Sequence, residues 1–305
     1  PGNQPNYVSV ADVDRDGSED LVIVGSDSAL CTVLRGRGDG SFEFLGSFGT
    51  GQLIGLVDLG DLDGDGWLDL AAVVLDEGVG LRGGSVTLLF GSGGGRFGDQ
   101  VLLPDTKWSV GICIEDLTGD GRPDLATTNL GEPVGWQFGE GSVVVLANRG
   151  GRAFERLASI PAGNIPQGLT VAELNGDRHQ DLAVAGNGGW GSASGGVTVF
   201  YGRGDGRFDR RERPVQGNGQ MFVIRGDLNA DGRDDLIWRH GLSIAGVLLG
   251  RAGGRLESTE YCYLKYSPSW PVLMDLDGDG VLDIASATGE SEVGVALGNG
   301  DGTFG

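Results

Sequence analysis

An acidic pattern of ten residues recurs six times along this 305-residue chain. Its first position is acidic, its third is Asp, Asn or Thr, its fifth and ninth are Asp, and its sixth is glycine in five copies. The copies begin at Asp12, Asp61, Asp116, Glu173, Asp227 and Asp275. Self-similarity of this kind restricts the fold to repeat architectures before any other feature is considered.

A second pattern follows each acidic copy: a β-rich run, a glycine-rich turn and a large apolar residue, as in residues 86–91 leading to Phe97. The residue that closes the run lies 6 positions before the apolar residue in every copy. The next acidic pattern then starts 19 positions later in all five measurable cases. Short β-branched runs bounded by Gly and Asp are strand signals, so each repeat predicts four strands.

This arrangement predicts an all-β fold of four-stranded antiparallel blades. One such sheet cannot bury both faces alone, so the blades must stack around an axis as a β-propeller. We expect a single domain over residues 1–305, with repeats starting near residues 7, 54, 109, 168, 220 and 270. If the repeats close into a ring, the distance from residue 304 past Gly305 and Pro1 to Asp12 of the first repeat is 13 positions rather than 19. We therefore expect the last blade to lack its fourth strand. Six blades are favoured, with seven as the alternative.

The two patterns in fixed phase resemble the FG-GAP/VCBS repeats of integrin α-chain propellers and of bacterial secreted propellers. The resemblance covers essentially the whole chain. It implies a β-propeller with calcium bound in the loop between the first and second strands of each blade.

The chemistry of the acidic pattern favours the same cation. Calcium takes six to eight hard oxygen ligands, which side chains at positions 1, 3, 5 and 9 and the backbone carbonyl of position 7 would supply. Glycine at position 6 permits a turn with positive φ, and position 7 shows no side-chain preference, as a backbone ligand requires. The candidate ligands are Asp12, Asp14, Asp16, Ser18, Asp20, Asp61, Asp63, Asp65, Trp67, Asp69, Asp116, Thr118, Asp120, Arg122, Asp124, Glu173, Asn175, Asp177, His179, Asp181, Asp227, Asn229, Asp231, Arg233, Asp235, Asp275, Asp277, Asp279, Val281 and Asp283.

Two other interpretations compete with a calcium loop of this kind. An EF-hand needs a bidentate Glu at position 12, where this chain has Ile23, Ala72, Thr127, Val184, Trp238 and Ser286. A metal-free Asp/Gly turn is disfavoured because six copies occur in phase and because four crowded carboxylates repel one another. We therefore predict up to six Ca²⁺ ions with a structural rather than catalytic role.

The six loops should differ in affinity. The first, second and sixth have four carboxylates and should bind best, whereas the third has Thr118 at position 3. The fourth has Glu173 at position 1 and Arg178 in place of glycine, so we expect it to be the weakest.

A ligand face is predicted opposite the metal loops. The segment between the second and third strands is the one that varies in length, and it is longest in repeats 2, 3 and 4, at about residues 75–84, 129–141 and 186–196. Variable loops on a rigid scaffold commonly carry binding, and exposed aromatic rings suit a carbohydrate or a protein partner. The candidate ligand-binding residues are Trp136, Gln137, Trp190, Trp108 and Trp270. The alternative is that these aromatic side chains pack between blades.

Two further possibilities stay open. His240 on the same face, with Tyr261, Tyr263 or Tyr266, could form an acid/base pair as in propeller-fold polysaccharide lyases, although a lone histidine is more often structural. The chain could also be a purely structural module. No nucleophile elbow, phosphate loop or zinc spacing accompanies these residues.

Charge and composition restrict the classes of partner and the cellular compartments that this chain can have. The net charge of −21 argues against nucleic acid, and no apolar run is long enough to cross a membrane. We expect an extracellular, secreted or cell-surface protein whose signal peptide lies outside these residues, because millimolar calcium fills weak loops of this kind. Cys31 and Cys113 lie in predicted strands as buried thiols, and Cys262 lies in a connection.

Overall fold

The structure, a computed structural model, describes residues 5–25, 29–75, 83–134, 137–187, 195–216, 222–240, 244–258, 262–263, 271–287 and 293–305. Every helix or strand in this part of the chain is a β-strand. The prediction of an all-β fold is therefore confirmed.

Each sequence repeat forms one run of antiparallel strands. The first two repeats contain β1 (Pro5–Ala11), β2 (Asp20–Gly25), β3 (Leu30–Gly36), β4 (Phe42–Gly49), β5 (Ile54–Gly60), β6 (Asp69–Leu75), β7 (Gly84–Gly91) and β8 (Phe97–Leu102). The third contains β9 (Ser109–Glu115), β10 (Asp124–Asn129), β11 (Pro133–Val134), β12 (Gln137–Phe138), β13 (Glu140–Asn148) and β14 (Phe154–Asn164). The fourth and fifth contain β15 (Pro166–Ala172), β16 (Asp181–Gly186), β17 (Gly196–Gly202), β18 (Phe208–Gln216), β19 (Val223–Gly226), β20 (Asp235–His240), β21 (Ile244–Arg251), β22 (Arg255–Ser258) and β23 (Cys262–Tyr263). The sixth contains β24 (Val272–Met274), β25 (Asp283–Ala287) and β26 (Val293–Ala296).

The strands pair in chain order, as in a meander. The first, fourth and fifth repeats each form a sheet of four consecutive strands, and a pair between Gly84 and Ser109 joins the sheets of the second and third repeats. Strands β11 and β12 form a separate hairpin. Strand β23 pairs with β21 and lies in the connection between β22 and β24, so Cys262 lies in a connection as predicted, and it is buried there.

The Cα positions cluster into two compact units. One comprises Pro1–Glu132 and Val143–Ile160, and the other Pro133–Ser142 and Pro161–Gly305. The single domain over residues 1–305 and the number of blades stay predictions.

In the first unit, strand β6 shows why these sequences fold into stacked sheets. After Asp69 its residues are apolar without interruption, because both faces of the strand are buried. Leu70, Ala72 and Val74 pack with residues of β2 and β3, whereas Ala71 and Val73 pack with residues of β9, β10 and β13. Burying a Val or Leu side chain completely contributes about 1.5–3 kcal/mol, so the sheet of the second repeat is held on two sides.

The second unit repeats this arrangement. Leu236 and Trp238 of β20 pack against the fourth repeat, and Ile237 between them packs against the sixth. Because side chains alternate between the two faces of a strand, successive residues of β20 pack in two different hydrophobic cores, one on each face.

The sheet of the sixth repeat has three strands, β24, β25 and β26. They are followed by an isolated bridge between Gly298 and Phe304 and by mutual backbone hydrogen bonds between Leu297 and Gly305.

Candidate metal centre

The six acidic patterns form the hairpin loops between the first and second strands of the repeats. In every case the residue before position 1 pairs with the aspartate at position 9, as Ala11 pairs with Asp20 and Gly60 with Asp69. Position 9 is therefore the first residue of the second strand, and positions 1 to 8 form the loop. We call these the acidic loops 12–20, 61–69, 116–124, 173–181, 227–235 and 275–283.

Position 6 has a left-handed backbone in all six acidic loops. The φ values are positive at Gly17, Gly66, Gly121, Arg178, Gly232 and Gly280, and lie between +69° and +89°. The prediction that glycine serves a turn with positive φ is confirmed, and Arg178 adopts the same turn despite its Cβ.

The aspartates at position 9 are buried and hold the loops to the rest of the sheet. In each repeat one carboxylate oxygen accepts the backbone N–H of position 2, and the other accepts the N–H of the residue that closes the third strand. For Asp20 the donors are Val13 at 3.0 Å and Gly36 at 2.8 Å. The same pair of bonds recurs at Asp69, Asp124, Asp181, Asp235 and Asp283. Each aspartate thus links the acidic loop to the turn between the third and fourth strands.

This close approach also explains the residue that closes the third strand. A Cβ on Gly36, Gly91, Gly202, Gly250 or Gly298 would overlap the carbonyl oxygen of position 8 in the same repeat. In the third repeat Asn148 occupies the position, and its Nδ2 donates to the carbonyl oxygens of Pro123 at 3.0 Å and Leu62 at 2.7 Å.

Burial changes the ionisation of several of the aspartates at position 9. Loss of hydration raises the pKa of Asp69, Asp181 and Asp235 to about 6, although backbone N–H donors oppose the shift. These carboxyls therefore hold a proton more tightly than exposed carboxyls do, unless a nearby cation stabilises their charge.

The carboxylates at positions 1 and 5 organise the exposed part of each loop. Position 5 accepts the N–H of position 7 in all six loops at 2.8–3.0 Å. At position 1, Asp12 accepts from Asp16 and Gly17, and the corresponding aspartates of four other loops also accept from position 6. In the 173–181 loop the longer Glu173 accepts three N–H groups on Oε1 alone, from positions 3, 4 and 5.

Three of the loops bring carboxylates close enough together to hold a metal ion. The groups are Asp12, Asp14 and Asp20; Asp61, Asp63 and Asp69; and Asp275, Asp277 and Asp279. Within each group the ligand oxygens lie within 4.8 Å of one another. Oxygens bound to one Ca²⁺ at about 2.3–2.6 Å are at most roughly 5 Å apart. The spacing and the all-oxygen donor set therefore fit a hard divalent cation, and these are the loops with four carboxylates.

Arginines that sequence reasoning missed contact two of these three clusters. Arg35 on β3 lies 2.7 Å from Asp14 and 2.9 Å from Asp16. Arg152, in the turn between β13 and β14, lies 2.9 Å from Asp63. The pKa of Asp16 is lowered, first by the N–H of Ser18 and further by Arg35. Only the turn position of Arg152, where the other repeats have glycine, distinguishes it in the sequence.

Most of the predicted ligand face lies outside the described residues, including Trp136, Trp190 and Trp270. The backbone of Gln137 lies in β12, but its side chain is not described. Trp108 is half-buried just before β9, has a φ of +66°, and accepts the N–H of Leu130 on its carbonyl oxygen at 3.0 Å. The ligand face therefore stays a prediction.

The proposed acid/base pair also lies mainly outside the described part. His240 ends β20 and Tyr263 ends β23, but neither side chain is described, and Tyr261 and Tyr266 fall in undescribed segments. Cys31 and Cys113 are buried thiols, as predicted. None of the described elements is a helix long and apolar enough to cross a membrane.

The fold and the loops together define a protein of the β-propeller class. The strands of each repeat pair antiparallel, and within each unit first strands of neighbouring repeats are in contact, β5 with β1 and β9 in one unit and β15 with β19 in the other. More particularly, the FG-GAP-like repeat family matches residues 3–72 and 174–238. These segments contain the 12–20, 61–69 and 227–235 loops and all but the first residue of the 173–181 loop.

Solved structures agree with this fold. A functionally unknown protein from Desulfotomaculum acetoxidans DSM 771 is similar with a TM-score of 0.60 and 12% identity, over 100% of this chain and 89% of that one. BBS1N, crystallised in complex with ARL6DN and soaked with lead, is similar with a TM-score of 0.56 and 12% identity, over 94% and 90% of the two chains. No curated protein matches the sequence.

Proposed function

We propose that this chain is a calcium-stabilised β-propeller of an extracellular protein. In this proposal it acts as a binding or adhesion module for a carbohydrate or protein ligand, through the face opposite the acidic loops. The metal ions hold the hairpins in place, and the variable segments between the second and third strands carry the ligand site.

One observation supports the metal role above all others. Six hairpins share the same backbone geometry at position 6 and the same pairing at position 9, and three of them collect carboxylate oxygens within 4.8 Å. The carboxylates are oriented by backbone N–H groups before any ion arrives, so little ordering of the loop is required when calcium binds.

The charge of the chain is consistent with this role. Acidic side chains at the ligand positions number 21 of the 43 in the chain. Six bound Ca²⁺ ions would bring the net charge from −21 to −9. Loops that bind calcium at millimolar concentration are filled outside the cell and not in the cytosol, which supports the extracellular assignment.

The metal role predicts a large effect of calcium on stability. A ligand at about 100 times its Kd stabilises the native state by about 2.7 kcal/mol per site. Filling three or more loops should therefore raise the midpoint of thermal unfolding by at least about 10 °C. Differential scanning calorimetry of the chelator-stripped protein, with and without calcium, measures this shift.

A matched pair of variants gives the control. Asp63→Asn removes a carboxylate from the 61–69 cluster and should reduce the calcium-dependent shift, whereas Asp39→Asn changes an exposed acid outside the loops. A midpoint that is the same in calcium and in chelator refutes the metal role.

The ligand face is tested separately. A glycan array probed in calcium should show a bound sugar class, and Trp136→Ala or Trp190→Ala should weaken binding at least about tenfold, since a buried aromatic anchor commonly contributes 2 kcal/mol or more. Trp67→Phe, on the acidic-loop side, should leave binding unchanged. An equal loss in all three variants would argue against this face.

A further inference from the structure

One turn of the third repeat departs from the other five. The turn between the third and fourth strands has a residue with φ between +68° and +85° at the same position in every repeat: Gly40, Gly95, Arg152, Gly206, Gly254 and Gly302. Left-handed backbone is unfavourable for a residue that has a Cβ. Arg152 therefore adopts a strained conformation that glycine adopts freely elsewhere.

In two other repeats this turn position lies beside the acidic loop of the preceding repeat. A Cβ on Gly254 would lie 2.7 Å from Cβ of Asn175, which is position 3 of the 173–181 loop. A Cβ on Gly95 would lie nearest Leu45 and then 3.3 Å from Val13, which is position 2 of the 12–20 loop. The side chain of Arg152 likewise reaches the acidic loop of the preceding repeat.

Arg152 makes three contacts with the second repeat. Its Nη2 and Nε lie 2.9 Å and 3.0 Å from Oδ2 of Asp63, and its Nη1 lies 2.9 Å from Oδ2 of Asp99. The guanidinium lies 4.0 Å from the centre of the Phe90 ring. Asp63, whose side chain is only 9% exposed, belongs to the 61–69 carboxylate cluster.

The chain contains a matched loop for comparison. Residues 61–69 and 275–283 are identical at eight of nine positions and differ only in Trp67 against Val281. None of the ion pairs formed by the described residues involves the 275–283 loop.

We propose that Arg152 is an internal cation of the 61–69 loop and competes with a divalent metal ion for Asp63. The inference rests on the proposed function, because it concerns the same calcium loops. The 61–69 loop then binds calcium more weakly than the nearly identical 275–283 loop. Metal binding there releases the Arg152 side chain from Asp63. Metal occupancy of the 61–69 loop, in the second repeat, is therefore coupled to the ion pair that Arg152 of the third repeat makes.

Trp67 makes this loop separately observable. It occupies position 7 of the loop, so it can sensitise the luminescence of a Tb³⁺ ion bound there in place of Ca²⁺. Trp67→Phe identifies the signal by removing it. The double variant Trp67→Phe/Val281→Trp moves the same reporter to the 275–283 loop.

Arg152→Gly restores the residue of the other repeats and should fold. We expect Arg152→Gly to increase the affinity of the 61–69 loop about five- to tenfold, both for Tb³⁺ and for the Ca²⁺ that displaces it. A tenfold change in Kd corresponds to about 1.4 kcal/mol, which is the size of a modest charge interaction. Arg152→Lys keeps a charge without the planar fork and should give a smaller increase. Arg149→Ala, in the same turn but paired with Glu155, should change nothing.

The outcomes separate this inference from the function on which it rests. Binding at the 275–283 reporter with no increase at the 61–69 loop in Arg152→Gly overturns the inference and leaves the calcium role standing. A lower affinity in Arg152→Gly also overturns it, because Arg152 would then support the metal site. Absence of Tb³⁺ binding at both loops in every variant overturns both.

Discussion

Position 5, in the exposed part of each acidic loop, and position 9, at its buried end, both carry aspartate but in different surroundings. In the 61–69 loop Asp65 is largely exposed and accepts one hydrogen bond, from the N–H of Trp67 at 2.8 Å. Asp69 is fully buried and accepts three, from Leu62, Asp63 and Gly91. Asp65 is held only within its own loop, whereas Asp69 is held in the folded core and also belongs to the carboxylate cluster with Asp61 and Asp63. An aspartate repeated in sequence can therefore serve the site, the fold or both.

The largest effect is expected at the buried end. Asp69→Ala leaves three buried N–H groups without their acceptor, and each lost partner costs about 1–3 kcal/mol. We expect the metal-free protein to lose about 3–5 kcal/mol of unfolding free energy, measured by urea denaturation. Asp65→Ala should cost less than about 1 kcal/mol under the same conditions. Equal losses in the two variants would show that the ends of the loop do not differ in this way.

The partner of the buried aspartate gives the next effect. In Gly91→Ala the new Cβ overlaps the carbonyl oxygen of Leu68 and displaces the N–H that donates to Asp69. Overpacking of this kind costs about 1–3 kcal/mol. Gly98→Ala on β8, where no atom lies within 4 Å of the new Cβ, should be close to neutral. Urea denaturation measures both variants. If Gly91→Ala has the same unfolding free energy as the parent protein, the contact with Leu68 does not restrict the residue that ends β7.

Much of this arrangement could be predicted from the sequence. The constant spacing of two patterns indicated the all-β repeat fold, and the glycine at position 6 indicated a turn with positive φ. These features are local, because they depend on neighbouring residues in one hairpin.

The parts that could not be predicted depend on contacts between distant residues. The distance along the chain from position 9 to its second donor varies from 15 to 24 residues, as for Asp235 with Gly250 and Asp124 with Asn148. No spacing rule could therefore pair them. Arg152 reaches Asp63 across 89 positions, and only the missing glycine in its turn marked it.

The ionisation of the buried end should make the metal-free fold sensitive to pH. Asp69, Asp181 and Asp235 have a folded pKa of about 6, above the unfolded value near 3.9. The folded state then binds these protons more tightly, so stability should rise as pH falls from about 7 toward 5 and be lost as pH increases through 6. We expect about 1 kcal/mol per aspartate, because each carboxyl also accepts backbone hydrogen bonds.

Calcium should reverse this dependence, because a bound cation favours the ionised carboxylate. Denaturation at pH 5, 6, 7 and 8, with and without calcium, compares the two cases. Asp181→Asn should reduce the slope of the metal-free protein, whereas Asp39→Asn should not, since the Ser41 hydroxyl and N–H lower the pKa of Asp39. A metal-free protein that becomes less stable between pH 7 and 5 would contradict the assignment.

The smallest effect concerns the weakest loop. Arg178 adopts a φ of +69° where five loops have glycine, so Arg178→Gly should stabilise the metal-free protein by about 0.5–1 kcal/mol through the backbone alone. Ala230→Gly is the control, because Ala230 also has a positive φ, of +54°, but lies at position 4 of the 227–235 loop. This variant removes the strain of a Cβ at positive φ without changing position 6. Titration calorimetry should show an additional gain in calcium affinity only for Arg178→Gly. If both variants gain stability and neither gains affinity, the weakness of this loop comes from Glu173, whose single oxygen already accepts three N–H groups.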